Sequence, residues 1–277
     1  AGTDIRILPA ESLKEGHAFQ SISNVGGPLW DTYTTGGDGS ETWHPRFSYH
    51  GFRYLELKGL PENATVTVRG KVLHTDNASS GDFTSSNQLV NGIHSIIRRS
   101  IEGNMMSVLT DCPSREKLGW LEQNQLLFPV LTGNYDMEAY FRKLVRDMSD
   151  AQTGDGLIPS TVPEYTNLPG GYRNDANWGG AFVLVPWQLY TTYGDRDTLR
   201  TYYPQMRRYV SFLEQQVKDG ILDYGLGDWF TPDRTFPRAV AGTYGYWRVV
   251  DALSRIADVL GDEDGAAAYR AKADPLS

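Results

Sequence analysis

Gly194-Asp-Arg-Asp197-Thr-Leu-Arg-Thr-Tyr202 is the stretch that decides the fold, because its spacing recurs twice more along the chain. Gly133-Asn-Tyr-Asp136 is followed by Phe141, and Gly261-Asp-Glu-Asp264 by Tyr269, so each copy reads Gly-x-x-Asp-x4-aromatic. The copies stand at intervals of about 61 and 67 residues, long enough for a loop and two helices each. A left-handed glycine closes one helix, an aspartate caps the next, and the aromatic packs about a turn and a half further in. Trp178–Tyr193 followed by Asp197–Val217 is one predicted pair, and Thr243–Leu260 followed by Asp264–Ala273 is the next. Phe182, Val183, Leu184, Val185, Trp187 and Leu189 leave the first helix few polar faces, whereas Arg200, Gln205, Arg207, Arg208, Glu214 and Gln215 give the second a solvated side. Inner helices wrapped by outer helices make an α/α toroid. A ligand would sit at the end where the long loops run into the inner helices.

Upstream of the helices the pattern is β. Phe52–Leu57 and Ala64–Val68 read as strands separated by the turn-forming run Gly59-Leu-Pro-Glu-Asn63. The glycine-rich Val25–Gly39 reads as an irregular surface segment. Leu89, Ile93, Ile96, Ile97 and Ile101 recur at helical spacing behind Ser86 as cap, so a helix over Asn87–Ile101 closes the β part.

Composition narrows the chemistry. With 277 residues and 40% apolar content the chain can build a real core. A net charge of −8 is a poor balance for gripping a polyanion, and nucleic acid is not an expected partner. The longest clean apolar run, Ala181–Trp187, is far short of the roughly 20 residues of a membrane helix, so no membrane partner is expected either. Cys112 is the single cysteine, which excludes an internal disulfide and a Cys-based zinc site, and no metal or cofactor is predicted. Whether the protein works in the cytoplasm or is secreted stays open. All five histidines, His17, His44, His50, His74 and His94, precede residue 95. The remaining two-thirds must do its chemistry without imidazole, so carboxylates are the first suspects.

The loops running into the inner helices carry them. They are Asp111-Cys-Pro-Ser-Arg115-Glu116-Lys-Leu-Gly-Trp120-Leu-Glu122, Tyr172-Arg-Asn-Asp175-Ala-Asn177-Trp178 and Gly225-Leu-Gly227-Asp228-Trp229. Each pairs a carboxylate with a tryptophan. A carboxylic acid beside an indole and near cations can be tuned to give or take a proton, and the indole face packs on the apolar face of a sugar ring. Cys112 reads as a buried structural thiol, and His44-x5-His50 lacks a matching carboxylate set and reads as structural. Asn63-Ala-Thr65 and Asn77-Ala-Ser79 fit the glycosylation pattern at a frequency chance allows.

Four stretches together resemble the α-L-rhamnosidases of glycoside hydrolase family 78. They are His44-Pro-Arg-Phe-Ser-Tyr-His50-Gly-Phe-Arg-Tyr54, Asp111-Cys-Pro-Ser-Arg-Glu116-Lys-Leu-Gly-Trp120, Trp178-Gly-Gly-Ala-Phe-Val-Leu-Val-Pro-Trp187 and Gly227-Asp228-Trp229. The resemblance implies an α+β multidomain chain: a β-sandwich-like module with its linking helix over residues 1–105, then the first half of an (α/α)6 barrel over residues 106–277. It implies hydrolysis of terminal α-L-rhamnose with inversion. Glu116 matches the general acid, Asp111 and Arg115 match rhamnose-binding residues, and Trp120, Trp178 and Trp229 match aromatic walls. Asp228 matches a residue holding sugar hydroxyls. Where many members have a Gly-Asp pair after the tryptophan of the first motif, this chain has Leu121-Glu122-Gln123, which leaves open which residue supplies that acidic contact; Glu122 is counted with the substrate-binding residues. The general base is expected in later barrel helices, after Ser277. The competing readings are a non-catalytic carbohydrate-binding or structural fragment, and another α/α-toroid enzyme such as a uronyl hydrolase or sugar phosphorylase. The expected partner is a rhamnose-containing glycoside or polysaccharide. A half-toroid also predicts a homo-oligomer or complementing chain over its open side.

Overall fold

The structure is a computed structural model and describes residues 1–19, 26–37, 39–229 and 235–274. It divides into two compact units, residues 1–75 with 92–118, and residues 76–91 with 119–277.

In the first unit β1 (Asp4–Ala10) is the middle strand of an antiparallel sheet, flanked by β4 (Asp31–Thr34) and β5 (Tyr54–Lys58). Its end is the buried part: Leu8 and Ala10 are covered. β2 (Ser12–Lys14) and β3 (His17–Phe19) form a hairpin whose two turn residues, Glu15 and Gly16, both have positive φ. That is the backbone a two-residue hairpin turn requires. The helix α1 (Gln88–Asn104) leads to the short antiparallel pair β6 (Met105–Met106) and β7 (Val108–Leu109).

Two expectations for this part are corrected. Ala64–Val68 forms no strand, although its residues are good strand formers, because none of its backbone groups pairs with a neighbouring strand; Val66 and Val68 stay exposed. Propensity for a strand is realised only against an edge. The Val25–Gly39 segment is not wholly irregular, since β4 lies inside it; Val25 and Asp38 lie outside the described residues. The α1 period is as expected, but Asn87, not Ser86, caps it, accepting from Leu89 N–H at 2.9 Å. Of its apolar stripe only Ile101 is buried.

The second unit is helical. Its inner layer is α2 (Glu122–Leu126) and α3 (Phe128–Asn134), then α5 (Ala176–Gly179) and α6 (Ala181–Tyr193), then α8 (Arg238–Leu260). Its outer layer is α4 (Glu138–Ala151), α7 (Arg196–Glu214) and α9 (Glu263–Ala273). α6 touches α2, α4, α7 and α8, which is why it is apolar nearly all round: Ala181 to Pro186 and Leu189 are all buried. α4, α7 and α9 bury one face each. Phe128 stacks on Phe141 at 4.4 Å, and Phe182 meets Tyr202 edge-on at 6.4 Å. The aromatics of the repeat therefore seat each outer helix on the inner layer.

Two of the three helix junctions work as the repeat predicts, with the cap shifted by two residues; the first does not. Gly194 and Gly261 end α6 and α8 at φ 74° and 83°. The caps of α7 and α9 are Asp195 and Asp262, accepting from Thr198 and Gly265 N–H, instead of Asp197 and Asp264. An aspartate directly after the glycine reaches back to the first turn, whereas one two residues later is already inside the helix. Gly133 sits within α3, and Tyr135 ends that helix in extended conformation.

Candidate active site

In the first unit the residues that follow β7 form a closed loop. Asp111 N–H donates to Leu118 O at 3.1 Å, and Leu118 N–H returns to Asp111 Oδ1 at 3.0 Å. Glu116 N–H points at Cys112 Sγ, 3.4 Å away. Gly51 N–H donates to Pro113 O at 2.8 Å, so closely that a Cβ on Gly51 would collide with the proline ring. The loop thus rests on the His50-Gly51 turn. His50 itself pairs with Asp31 at 2.8 Å, in keeping with a structural role. Lys117, at φ 55°, bonds Tyr49 O and lies 4.7 Å from the Tyr49 ring; burial lowers its pKa.

The loop brings Asp111 and Glu116 together. Desolvation raises the Asp111 pKa, the Glu116 charge adds to the rise, and the Cys112 thiol and Leu118 N–H oppose it. Two adjacent carboxyls resist double ionisation, so the neighbouring Glu116 makes the Asp111 proton harder to remove. Arg115 is exposed and lines a cavity of about 200 Å³ with Glu11, Ser12, Phe19 and His50.

In the second unit Trp120 and Trp178 meet edge to face at 6.2 Å. Trp178 is buried at 8% exposure, so the indole surface open to a ligand belongs to Trp120 and to Trp229, which is 52% exposed and edge-on to Tyr172 at 5.2 Å. Asp228, beside Trp229, is exposed. Glu122 opens α2, and its pKa is raised from 4.5 to about 7: desolvation is the main cause, the Asp175 charge adds to it, and Arg248 works against it. Glu122 can therefore hold a proton near neutrality.

Around Glu122 lies a buried polar ring. Gln125 donates from Nε2 to Asn177 O at 3.2 Å, accepts from Arg248 at 2.5 Å through Oε1, and accepts from Gln188 on its backbone carbonyl at 2.9 Å. One residue of α2 thus links α5, α6 and α8. Asn177 donates on to Ala241 O at 3.2 Å. Asp175 and Asn177 stand in one of the loops singled out in the sequence, but the sequence assigns no site role to them, to Gln125 or to Arg248. The sequence carries no distinctive signal for Gln125, since α2 is polar at four of its five positions; what marks it is its burial, which obliges it to find a partner.

Of the expected residues, then, Asp111, Arg115 and Glu116 belong to the first unit, and Trp120, Glu122, Trp178, Asp228 and Trp229 to the second. The sequence model of the bacterial α-L-rhamnosidase six-hairpin glycosidase domain matches residues 78–277, and that of the bacterial α-L-rhamnosidase concanavalin-like domain matches residues 1–74. The chain belongs to the bacterial α-L-rhamnosidase family. Its helical unit supplies three helical hairpins among the described residues: α3 with α4, α6 with α7, and α8 with α9. An α-L-rhamnosidase of Streptomyces avermitilis is 37% identical over 267 residues, 95% of this chain and 26% of that protein. The crystal structure of a Streptomyces avermitilis α-L-rhamnosidase complexed with L-rhamnose superimposes with a TM-score of 0.86 at 34% identity, covering 100% of this chain and 27% of that one. The α-L-rhamnosidase from Dictyoglumus thermophilum gives a TM-score of 0.86 at 36% identity, covering 99% and 32%. The chain thus spans about a quarter to a third of the length of these rhamnosidases.

Proposed function

We propose that the protein to which this chain belongs removes terminal α-L-rhamnose from glycosides or polysaccharides with inversion at the anomeric carbon, and that Glu116 is its proton donor. The observation that carries this reading is the 111–118 loop, which puts the Asp111 and Glu116 carboxyls in each other's field in a member of the rhamnosidase family. Protonated Glu116 gives its proton to the glycosidic oxygen as the bond from that oxygen to the anomeric carbon breaks. A water adds to the opposite face of that carbon and gives its proton to a second carboxylate, about 6.5–9.5 Å from the first. The leaving group departs as an alcohol, rhamnose departs with inverted configuration, and solvent restores both carboxyls. Asp111 and Arg115 hold rhamnose hydroxyls, Trp120 and Trp229 form the aromatic walls with the buried Trp178 supporting Trp120, and Asp228 and Glu122 complete the polar contacts.

Glu116→Gln in the longest natural version of the protein tests the assignment. Hydrolysis of an aryl α-L-rhamnoside is expected to fall by about 100-fold or more. A rate near wild type would show that Glu116 is not the acid.

For the 277 residues alone a narrower reading stands beside this one: the chain holds the sugar without turning it over. The short span relative to the matched rhamnosidases favours it, since the resemblance assigns the base to later barrel helices. Assaying the chain and its longest natural parent on one substrate separates the two, because turnover by the short chain would remove the narrower reading.

A further inference from the structure

Asp175 sits between two of the loops assigned to the sugar and has no role in the proposed chemistry. It is 2% exposed. Oδ1 accepts from Asn177 N–H at 2.7 Å, capping α5, the short helix that carries Trp178. Oδ2 accepts from Leu226 N–H at 2.6 Å, in the next loop, two residues before Asp228 and three before Trp229. The approach is so close that a Cβ on Gly225 would collide with Asp175 Oδ2; Gly225 has φ 104°, a conformation glycine alone adopts without strain. On its near side that loop is tied again, by Leu222 N–H to Thr243 Oγ1 at 3.1 Å. Beyond Leu226, Tyr172 meets the Trp229 indole edge-on, the one ring contact to it among the described residues.

We propose that Asp175 is a positioning residue of the sugar site: one buried carboxylate clamps the Gly225–Trp229 loop to the N-terminus of α5, and so fixes Trp229 and Asp228 against Trp178. The inference rests on the reading of these residues as sugar contacts, but the clamp can be tested without it. The geometry requires a carboxylate. Both oxygens accept from backbone N–H groups, whereas an asparagine would present an amide N–H to one of those donors whichever way it is turned. The clamp also has an electrostatic face. Burial raises the Asp175 pKa and the N–H donors of Leu226 and Asn177 restrain the rise. The charge so retained faces Glu122, as Arg248 does with opposite sign.

The test uses the full 277-residue chain labelled with 5-fluorotryptophan, with each ¹⁹F resonance assigned by Trp→Phe replacement. Asp175→Asn and, separately, Gly225→Ala should shift or broaden the Trp229 resonance and leave Trp30 and Trp43 of the first unit unchanged. Asp175→Asn should also lower the Glu122 titration midpoint, read by ¹³C carboxyl shifts, further than Gly225→Ala does, since the latter disturbs the same loop but keeps the Asp175 charge. L-rhamnose titrated into the same samples should bind about tenfold more weakly to both variants. An unmoved Trp229 in both variants overturns the clamp, and a Glu122 midpoint no lower in Asp175→Asn than in Gly225→Ala overturns its electrostatic part. If wild type fails to bind rhamnose while Trp229 still moves in both variants, the clamp stands and the sugar reading of these residues falls.

Discussion

Glu122→Gln isolates the most perturbed carboxyl of the helical unit. In the folded chain its pKa is about 7, against an ordinary 4.5, because burial penalises the ionised form and Asp175 adds a like charge. Between those two values the folded state keeps a proton that the unfolded chain has released. Its contribution to stability is therefore complete below about pH 4.5 and is lost as pH rises through about 7. At ~1.4 kcal/mol per pH unit the gap corresponds to about 3 kcal/mol. Solvent reaching the partly exposed carboxyl trims that to about 2. Glutamine has the shape of the protonated acid and cannot ionise, so the variant should lose much of the pH dependence while resembling wild type at low pH. The assay is urea unfolding at steps between about pH 5 and 8, followed by tryptophan fluorescence, since Trp120, Trp178, Trp187, Trp229 and Trp247 all lie in the helical unit. Wild type should lose about 2 kcal/mol over that range and Glu122→Gln under half as much. Parallel curves for the two proteins would refute the reasoning, because they would mean that Glu122 ionises in place without penalty.

Two further outcomes follow from the same unit. Arg248→Met removes the cation that favours ionised Glu122, so the carboxyl midpoint should move above its wild-type position in a ¹³C titration; a fall would show that Arg248 is not in its field. The Tyr209 hydroxyl is fully buried with no hydrogen-bond partner, so Tyr209→Phe should be neutral or stabilise by about 1 kcal/mol, raising Tm by roughly 2–4 °C. A clear loss of stability on calorimetry would reveal a bonded hydroxyl.

What the sequence made legible and what it hid divide along a physical line. The repeat found the helical hairpins because Gly194 and Gly261 act locally: a positive φ ends a helix whatever surrounds it. It misplaced the caps because Gly-Asp-x-Asp offers two aspartates, and only the path of the backbone out of the glycine decides which one reaches the free amides. The motif at Asp111–Trp120 pointed to the family for the same local reason, since all its residues lie within ten positions of sequence. The strand at Ala64–Val68 failed because a strand depends on an edge elsewhere, and no window of sequence contains both sides of a ladder. The polar ring failed likewise. Gln125 and Arg248 bond across 123 residues of sequence, and Asp175 and Leu226 across 51. Gln125, Arg248 and Asp175 each read alone as an ordinary polar residue in or beside a helix. Only packing turns them into a site, because burial obliges each to find its partner and thereby fixes where the exposed Trp229 must stand.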